Sequence, residues 1–131
     1  MRQQVATEET DNLRTNLDIA HAQHEIILLY IKSDQMDKVW PAVQSLLSLK
    51  FPAEQEVSTV KSLFIITEKL YEKGHSALAH QILSAAAKNL SDSSNKAKVY
   101  LIQARAYKRD GLDEKAIECY GKFQELSTKS P

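Results

Sequence analysis

Apolar side chains recur at intervals of three and four residues along most of this chain, and that period is the strongest constraint on its fold. The period is that of one face of an α-helix, and no stretch shows the sustained alternation typical of a β-strand. The sequence holds only three glycines and three prolines in 131 residues, which is few for a β-sandwich with many tight turns. The sequence therefore predicts an all-α protein. In the first long segment the period is carried by Leu13, Leu17, Ala20, Ile27 and Ile31.

Turn-forming residues divide the periodic sequence into six predicted helices. The first is expected to run from about Thr7 or Asp11 to Lys32, before a polar turn that contains Asp34. Gly74 and Gly111 are expected to end the third and fifth helices, because glycine readily adopts the left-handed conformation at a helix C-terminus. The remaining helices are expected at about 36–49, 52–73, 76–90, 95–110 and 113–127.

Pro41 falls where the second helix should already be under way. A proline inside a helix removes one backbone donor and crowds a preceding carbonyl, at a cost of about 3 kcal/mol. Either this helix begins late, near Trp40, with Pro41 in its first turn, or the helix is kinked. The late start is the favoured interpretation.

The three predicted turns between paired helices are regularly spaced. Asp34, Gly74 and Gly111 follow one another at intervals of 40 and 37 residues, a period typical of stacked helical arrays. The sequence thus predicts an α-solenoid of three antiparallel helix hairpins, at about 12–49, 53–90 and 95–127. Residues 12–128 are expected to form a single domain, and residues 1–11 a flexible or frayed N-terminus.

The third hairpin carries a more specific pattern of large and small residues around its turn. Aromatic and small side chains alternate at Tyr100, Ala104, Tyr107, Ala116 and Tyr120, with the turn glycine at Gly111. This pattern resembles the tetratricopeptide repeat. The resemblance extends over about residues 20–128 and implies a right-handed stack. The matching positions of the second hairpin are Leu63, Thr67, Leu70, Gly74, Ala79, Leu83 and Ala86.

Resemblance to tetratricopeptide arrays implies a concave groove that binds proteins and is lined by the first helix of each hairpin. Such a groove would be apolar in the middle and basic at one end, and would suit an extended or helical peptide with apolar and acidic residues. The alternative is that Lys98, Arg105, Lys108 and Arg109 are a solvated face. Lys98 alone matches the clamp by which some family members hold a C-terminal carboxylate, so that activity is not expected. The residues that would line the groove are His21, His24, Leu28, Ile31, Lys61, Phe64, Glu68, Tyr71, Lys98, Leu101, Arg105 and Lys108.

No residue pattern predicts catalysis, a cofactor or a metal site. Cys119 has no base near it in the sequence and is expected to be a small core residue. His21 and His24 could face one side of a helix, but a metal site needs at least a third ligand. The three glycines are isolated, so no phosphate-binding loop is present. We therefore expect a protein that is not an enzyme.

The net charge bears on the class of partner, and the apolar content of the N-terminal segment bears on the cellular location. Seventeen basic and seventeen acidic side chains cancel, which disfavours a nucleic-acid binder. The first twelve residues contain no apolar core of signal-peptide length, and no apolar run reaches membrane-spanning length. We expect a cytoplasmic adaptor or chaperone-like module that binds a protein or peptide. The alternative is an assembly subunit that self-associates or packs into a larger complex through its terminal helices.

Overall fold

The chain is helical and its contacts fall into two compact units. In the computed structural model, the backbone is described for residues 2–129 and the side chains for residues 11–128. Over this range the chain forms six α-helices and one short 3₁₀ turn, with no strand, which confirms the predicted all-α class. The units are Met1–Phe51 and Pro52–Pro131, where the sequence predicted one domain. The division falls at the extended Leu49–Pro52 link, with α1 and α2 packed together before it and four helices after it.

The first unit contains α1 (Arg2–Lys32), a 3₁₀ turn (Met36–Lys38) and α2 (Val39–Ser48). The backbone of α1 is helical from Arg2, earlier than the predicted start. The flexible or frayed character of residues 1–11 stays a prediction. Met1 and the side chains up to Thr10 lie outside the described residues. The buried apolar side chains of this unit are Ile27, Ile31, Val39, Ala42, Val43, Leu46 and Leu47.

Pro41 lies in the first turn of α2, as the late-start interpretation predicted. The first amide groups of a helix have no acceptor within that helix, so the missing donor of a proline costs little there. The 3₁₀ turn brings the chain into α2 at Val39, three residues after the earliest predicted start.

The second unit contains α3 (Ala53–Glu72), α4 (Ser76–Asn89), α5 (Ser93–Arg109) and α6 (Asp113–Lys129). α5 begins two residues earlier than predicted, because the Asp92 carboxylate accepts a hydrogen bond from the Asn95 amide at 3.0 Å and caps the helix. α4 begins at Ser76, as predicted, and His75 holds its cap position. The fully buried large side chains include Leu63, Ile66, Leu70, Ile82, Leu83 and Val99.

Three turns in the two units have the same backbone geometry. Asp34, Gly74 and Gly111 have positive φ angles of 61°, 83° and 76°. At each turn the amide after the positive-φ residue donates to a carbonyl five residues back, at 2.8 to 2.9 Å. The positive-φ residue itself donates three residues back, which completes a Schellman motif. The predicted turn positions are therefore confirmed.

Several small side chains of the second unit are buried. Ala79, Ala86, Ala104 and Ala116 are all buried, and successive helices from α3 to α6 pack against one another. Alanine at a contact lets two helices approach closely. Gln103 is a buried polar residue of α5. Its amide nitrogen donates to Ser84 Oγ at 2.8 Å, so the polar side chain is paired and ties α5 to α4.

Candidate functional site

An open groove runs between α3 and α5 in the second unit. These two helices contact each other although α4 separates them in the sequence. Between them lies a cavity of about 460 Å³ whose lining is mainly apolar. Phe64 and Ile65 remain exposed there instead of joining the core. We call this the α3–α5 groove; its lining residues are Val60, Lys61, Phe64, Ile65, Lys98, Leu101, Ile102 and Arg105.

Three cations surround the apolar part of the α3–α5 groove. Lys61 comes from α3, and Lys98 and Arg105 come from α5. No acidic residue is among the residues that line this cavity. Like charges around an apolar surface create a positive potential that attracts carboxylates and raises the rate of encounter with an acidic partner.

A second cavity of about 200 Å³ continues the groove toward the C-terminal end of α3. It shares Phe64, Ile102 and Arg105 with the larger cavity. Here an acidic residue, Glu68, lines the cavity. Its Oε1 atom accepts a hydrogen bond from Arg109 Nη2 at 3.2 Å. The groove therefore has a cationic apolar end and an end where one positive charge is neutralised.

Tyr71 forms the wall of this neutralised end and is fixed by a group of rings behind it. The Arg109 guanidinium lies 4.9 Å from the centre of the Tyr71 ring. The Tyr71 hydroxyl lies 3.2 Å from His80 Nε2, and that nitrogen donates to Asp110 Oδ2 at 2.7 Å. The His80 ring stacks on Tyr107 with 4.1 Å between centroids. We call Tyr71, His80, Tyr107 and Asp110 the Tyr71 cluster.

The Tyr71 cluster extends the neutral state of the tyrosine hydroxyl to higher pH. Burial raises the pKa of Tyr71 well above its ordinary value, and the negative charge of Asp110 raises it further. Arg109 lowers the pKa, but by less than these two effects together. The hydroxyl at the end of the groove therefore stays a neutral hydrogen-bonding group at pH values where an exposed tyrosine ionises.

A buried carboxylate fixes the start of α5 beside α3. Glu56, in the first turn of α3, is 4% exposed. Its two oxygens accept hydrogen bonds from the backbone amides of Ser91 and Asp92, at 2.9 and 3.1 Å. The Asn95 side-chain amide donates to Glu56 Oε1 at 3.0 Å and to the Ala53 carbonyl at 3.1 Å. The link between α4 and α5 is thus tied to α3, which sets the position of one wall of the groove.

The structure brings together the groove residues predicted from the second and third hairpins, with one exception. Lys108 is exposed on α5 but lies outside the lining of both cavities. The predicted residues that line the cavities are Lys61, Phe64, Glu68, Tyr71, Lys98, Leu101 and Arg105.

The groove residues predicted from the first hairpin belong to the first unit. Ile31 is 2% exposed and lies in the core of that unit, because α1 turns this residue inward beside Ile27. His24 and Leu28 are half-buried, and the Nδ1 atom of His24 is buried with no hydrogen-bond partner in the structure. His21 is exposed. These four positions stay predictions for partner contact, with Ile31 unable to offer an exposed side chain.

Sequence reasoning missed several lining residues. Ile65 and Ile102 each follow a predicted groove residue directly along their helix, and Val60 precedes Lys61. Arg109, first considered only as part of a charged face, is fixed by Glu68 and Tyr71. A groove between two helices is wider than one helical stripe. The residues directly before and after each predicted residue could therefore have been included in the prediction.

A reactive thiol, a metal site and a membrane-spanning helix each require a particular arrangement of residues, and the only cysteine of the chain lies in the core. Cys119 is buried in α6, as predicted for a core residue, and burial raises the pKa of its thiol. Among residues 11–128, no three histidine, cysteine or acidic side chains lie together as a metal ion would need. In the same part of the chain, no helix combines the length and the apolar character that crossing a membrane requires.

No protein-family model, curated protein or solved structure matches the chain.

Proposed function

We propose that the second unit is a protein-interaction module whose α3–α5 groove binds a short segment of a partner protein. The segment would carry apolar side chains flanked by acidic residues. The observation that carries this proposal is the combination of an exposed apolar floor with Lys61, Lys98 and Arg105 around it. The apolar floor favours burial of apolar side chains of the partner. The surrounding cations favour segments in which these side chains stand next to carboxylates.

The groove has the size of a peptide site. Val60 and Tyr71 mark its two ends on α3, and eleven residues of helix rise by about 16 Å. This length accommodates about three turns of a docked helix, or about five residues of extended chain. Its open form also suits a chain that continues beyond both ends.

The proposed module is a stack of antiparallel helix hairpins of the tetratricopeptide kind, with the right-handed arrangement that the resemblance implies. Support comes from the two matching Schellman turns at Gly74 and Gly111 and from the buried alanines of these helices. We further propose an adaptor or chaperone-like role in the cytoplasm, without catalysis. A single buried thiol is consistent with a reducing compartment.

Fluorescence anisotropy with designed peptides tests this function. The first probe is a labelled helical peptide with leucine at successive i, i+3 and i+4 positions and glutamate beside each one. A second peptide replaces every glutamate with lysine, and a third replaces every leucine with alanine. We expect the first peptide to bind at least about tenfold more tightly than either of the others, a difference of about 1.4 kcal/mol.

Charge reversal in the protein locates the binding site. Lys98→Glu with Arg105→Glu should weaken the acidic peptide by at least about tenfold and strengthen the basic one. Lys88→Glu, an exposed position on α4 outside both cavities, is the matched control and should leave binding unchanged. Equal affinity for the acidic and basic peptides, or equal effects of the groove and control variants, would contradict the proposal.

A further inference from the structure

The outward side of α1 carries a row of exposed apolar residues. Ile19, Ile26 and Leu29 are 46%, 39% and 59% exposed, and Ala22 is exposed between them. We call these four residues the α1 stripe. The buried residues Ile27 and Ile31 lie roughly on the opposite side of the helix, at 100° of rotation per residue. The contact of α1 with its own unit is therefore made by a different face.

The spacing of the α1 stripe is that of a coiled-coil seam. Its members follow one another at three, four and three residues, which corresponds to successive a and d positions of a heptad. The same spacing continues backward to Thr15 and Asn12, which are polar and exposed. The apolar seam thus covers the second half of α1 and provides about four core layers when paired with another helix.

From this arrangement we propose that the α1 stripe binds the α1 stripe of a second copy of this chain, with the two helices antiparallel. In the register whose two-fold axis passes between positions 22 and 26, Ile19 of one copy lies opposite Leu29 of the second copy. Ala22 then lies opposite Ile26. An isologous contact needs a surface that is complementary to itself, and this register pairs each small or large residue with one that fills the layer.

The charges beside the α1 stripe support the same register. Asp18 of one copy is placed beside Lys32 of the other, so that two opposite-charge pairs flank the seam. Glu25 lies near the two-fold axis and faces its own counterpart. This like-charge pair weakens the dimer and provides a specific test, because removal of that charge should tighten the association.

The association should be reversible rather than permanent. Four apolar layers bury less surface than a standard stable interface, which removes about 1,200–2,000 Å² from water. However, α1 is already held as a helix by packing on α2, so the dimer does not bear the cost of folding it. We expect a dissociation constant in the micromolar range, with the monomer dominant well below it.

Sedimentation equilibrium over two decades of concentration measures the self-association. Ile26→Glu should raise the dissociation constant at least about tenfold, and Glu25→Gln should lower it about threefold at low salt. Ile117→Glu is the matched control, since Ile117 is an exposed apolar residue of α6. Far-UV circular dichroism checks that each variant stays folded. A strict monomer at every concentration overturns the proposal, as does a dimer that Ile117→Glu disrupts and Ile26→Glu does not.

Disulfide trapping tests the orientation of the helices. In a Cys119→Ser background, Glu25→Cys should cross-link quickly, because position 25 faces itself across the two-fold axis. Asp18→Cys should not cross-link, since positions 18 of the two copies would lie about 20 Å apart along the helix axis. A parallel dimer would treat the two variants alike, and equal trapping therefore contradicts the antiparallel arrangement. Peptide binding in the α3–α5 groove is unaffected by either result.

Discussion

The contacts that join helices differ between the first and second units. In the first unit, α1 and α2 are joined by buried aliphatic side chains and by Gln23, whose amide donates to the Ala42 carbonyl at 3.3 Å. In the second unit, buried or half-buried polar side chains tie residues that are 30 or more positions apart in the sequence. Glu56 joins α3 to the link before α5, and His80 joins α4 to Asp110 at the end of α5.

We attribute this difference to the number of helices whose relative positions each unit must fix, which is two in the first unit and four in the second. Two helices joined by one tight turn are fixed by that turn and one apolar face. A third helix that must lie beside the first needs a contact that also defines its position along the axis. Hydrogen bonds supply this because they depend on direction, whereas apolar contacts do not. The groove between α3 and α5 consequently depends on a polar contact at its base.

The most damaging change in this comparison should be Glu56→Ala. It removes the acceptor of the Ser91 and Asp92 amides and one of the two acceptors of the Asn95 side-chain amide. We expect a loss of about 3 kcal/mol in the free energy of unfolding, measured by urea titration. Glu54→Ala, two residues earlier and exposed, should change stability by less than about 0.5 kcal/mol.

The same variant separates two accounts of the second unit. If apolar packing alone positions α5, Glu56→Ala will cost no more than the Glu54→Ala control and will bind the acidic peptide normally. If the carboxylate positions α5, peptide affinity will fall together with stability, even at temperatures where the variant is fully folded.

The sequence predicted what depends on local chemistry. Gly74 and Gly111 marked turns because a positive φ favours glycine, and Pro41 marked the first turn of α2 because proline is tolerated there. Phe64 and Leu101, which line the α3–α5 groove, were named as groove residues only through the resemblance to tetratricopeptide arrays. Each of these signals is read within one or two turns of helix.

Contacts between distant segments could not be predicted in this way. Glu56 and the amide it accepts from at Ser91 are 35 residues apart, and His80 and Asp110 are 30 apart. A glutamate in the first turn of a helix is common for electrostatic reasons alone, so nothing local distinguishes Glu56 from Glu54. The grouping of contacts into two units has no local signal either, because the period of the turns continues across Pro52.

The next largest effect should be the response of the Tyr71 cluster to alkali. The fold raises the pKa of Tyr71, so the folded state favours the neutral hydroxyl. The stability that this contributes is complete below the ordinary tyrosine pKa of about 10 and is lost as pH rises above it. We expect the free energy of unfolding to fall by up to about 1.4 kcal/mol per pH unit in that range.

Tyr71→Phe should remove this part of the alkaline loss. The ultraviolet absorbance of tyrosinate gives a second measurement, in which one of the five tyrosines titrates late in the folded protein and with the others in urea. A late-titrating tyrosine that persists in Tyr71→Phe would assign the effect to another residue. Tyr71 lies in the second unit, so this alkaline loss of stability should arise there and not in the first unit.

The smallest expected effect concerns the type of turn that occurs in both units. Asp34 adopts a φ of 61°, where glycine stands in the other two turns. A side chain in this conformation is strained, although aspartate tolerates it better than most residues. Asp34→Gly should therefore stabilise the first unit by about 0.5 kcal/mol, after the greater freedom of glycine in the unfolded chain is deducted.

The reciprocal change tests whether the turns are equivalent. A Cβ atom at Gly74 would meet no other atom within 4 Å, so Gly74→Asp adds conformational strain without a steric clash. It should cost about as much as Asp34→Gly gains, and Asp34→Asn should lie near zero because asparagine also tolerates a positive φ. Thermal unfolding of the three variants measures these differences. If Gly74→Asp costs several times more than Asp34→Gly gains, the second unit constrains its turn through contacts that the first unit lacks, and the two turns are alike only in backbone geometry.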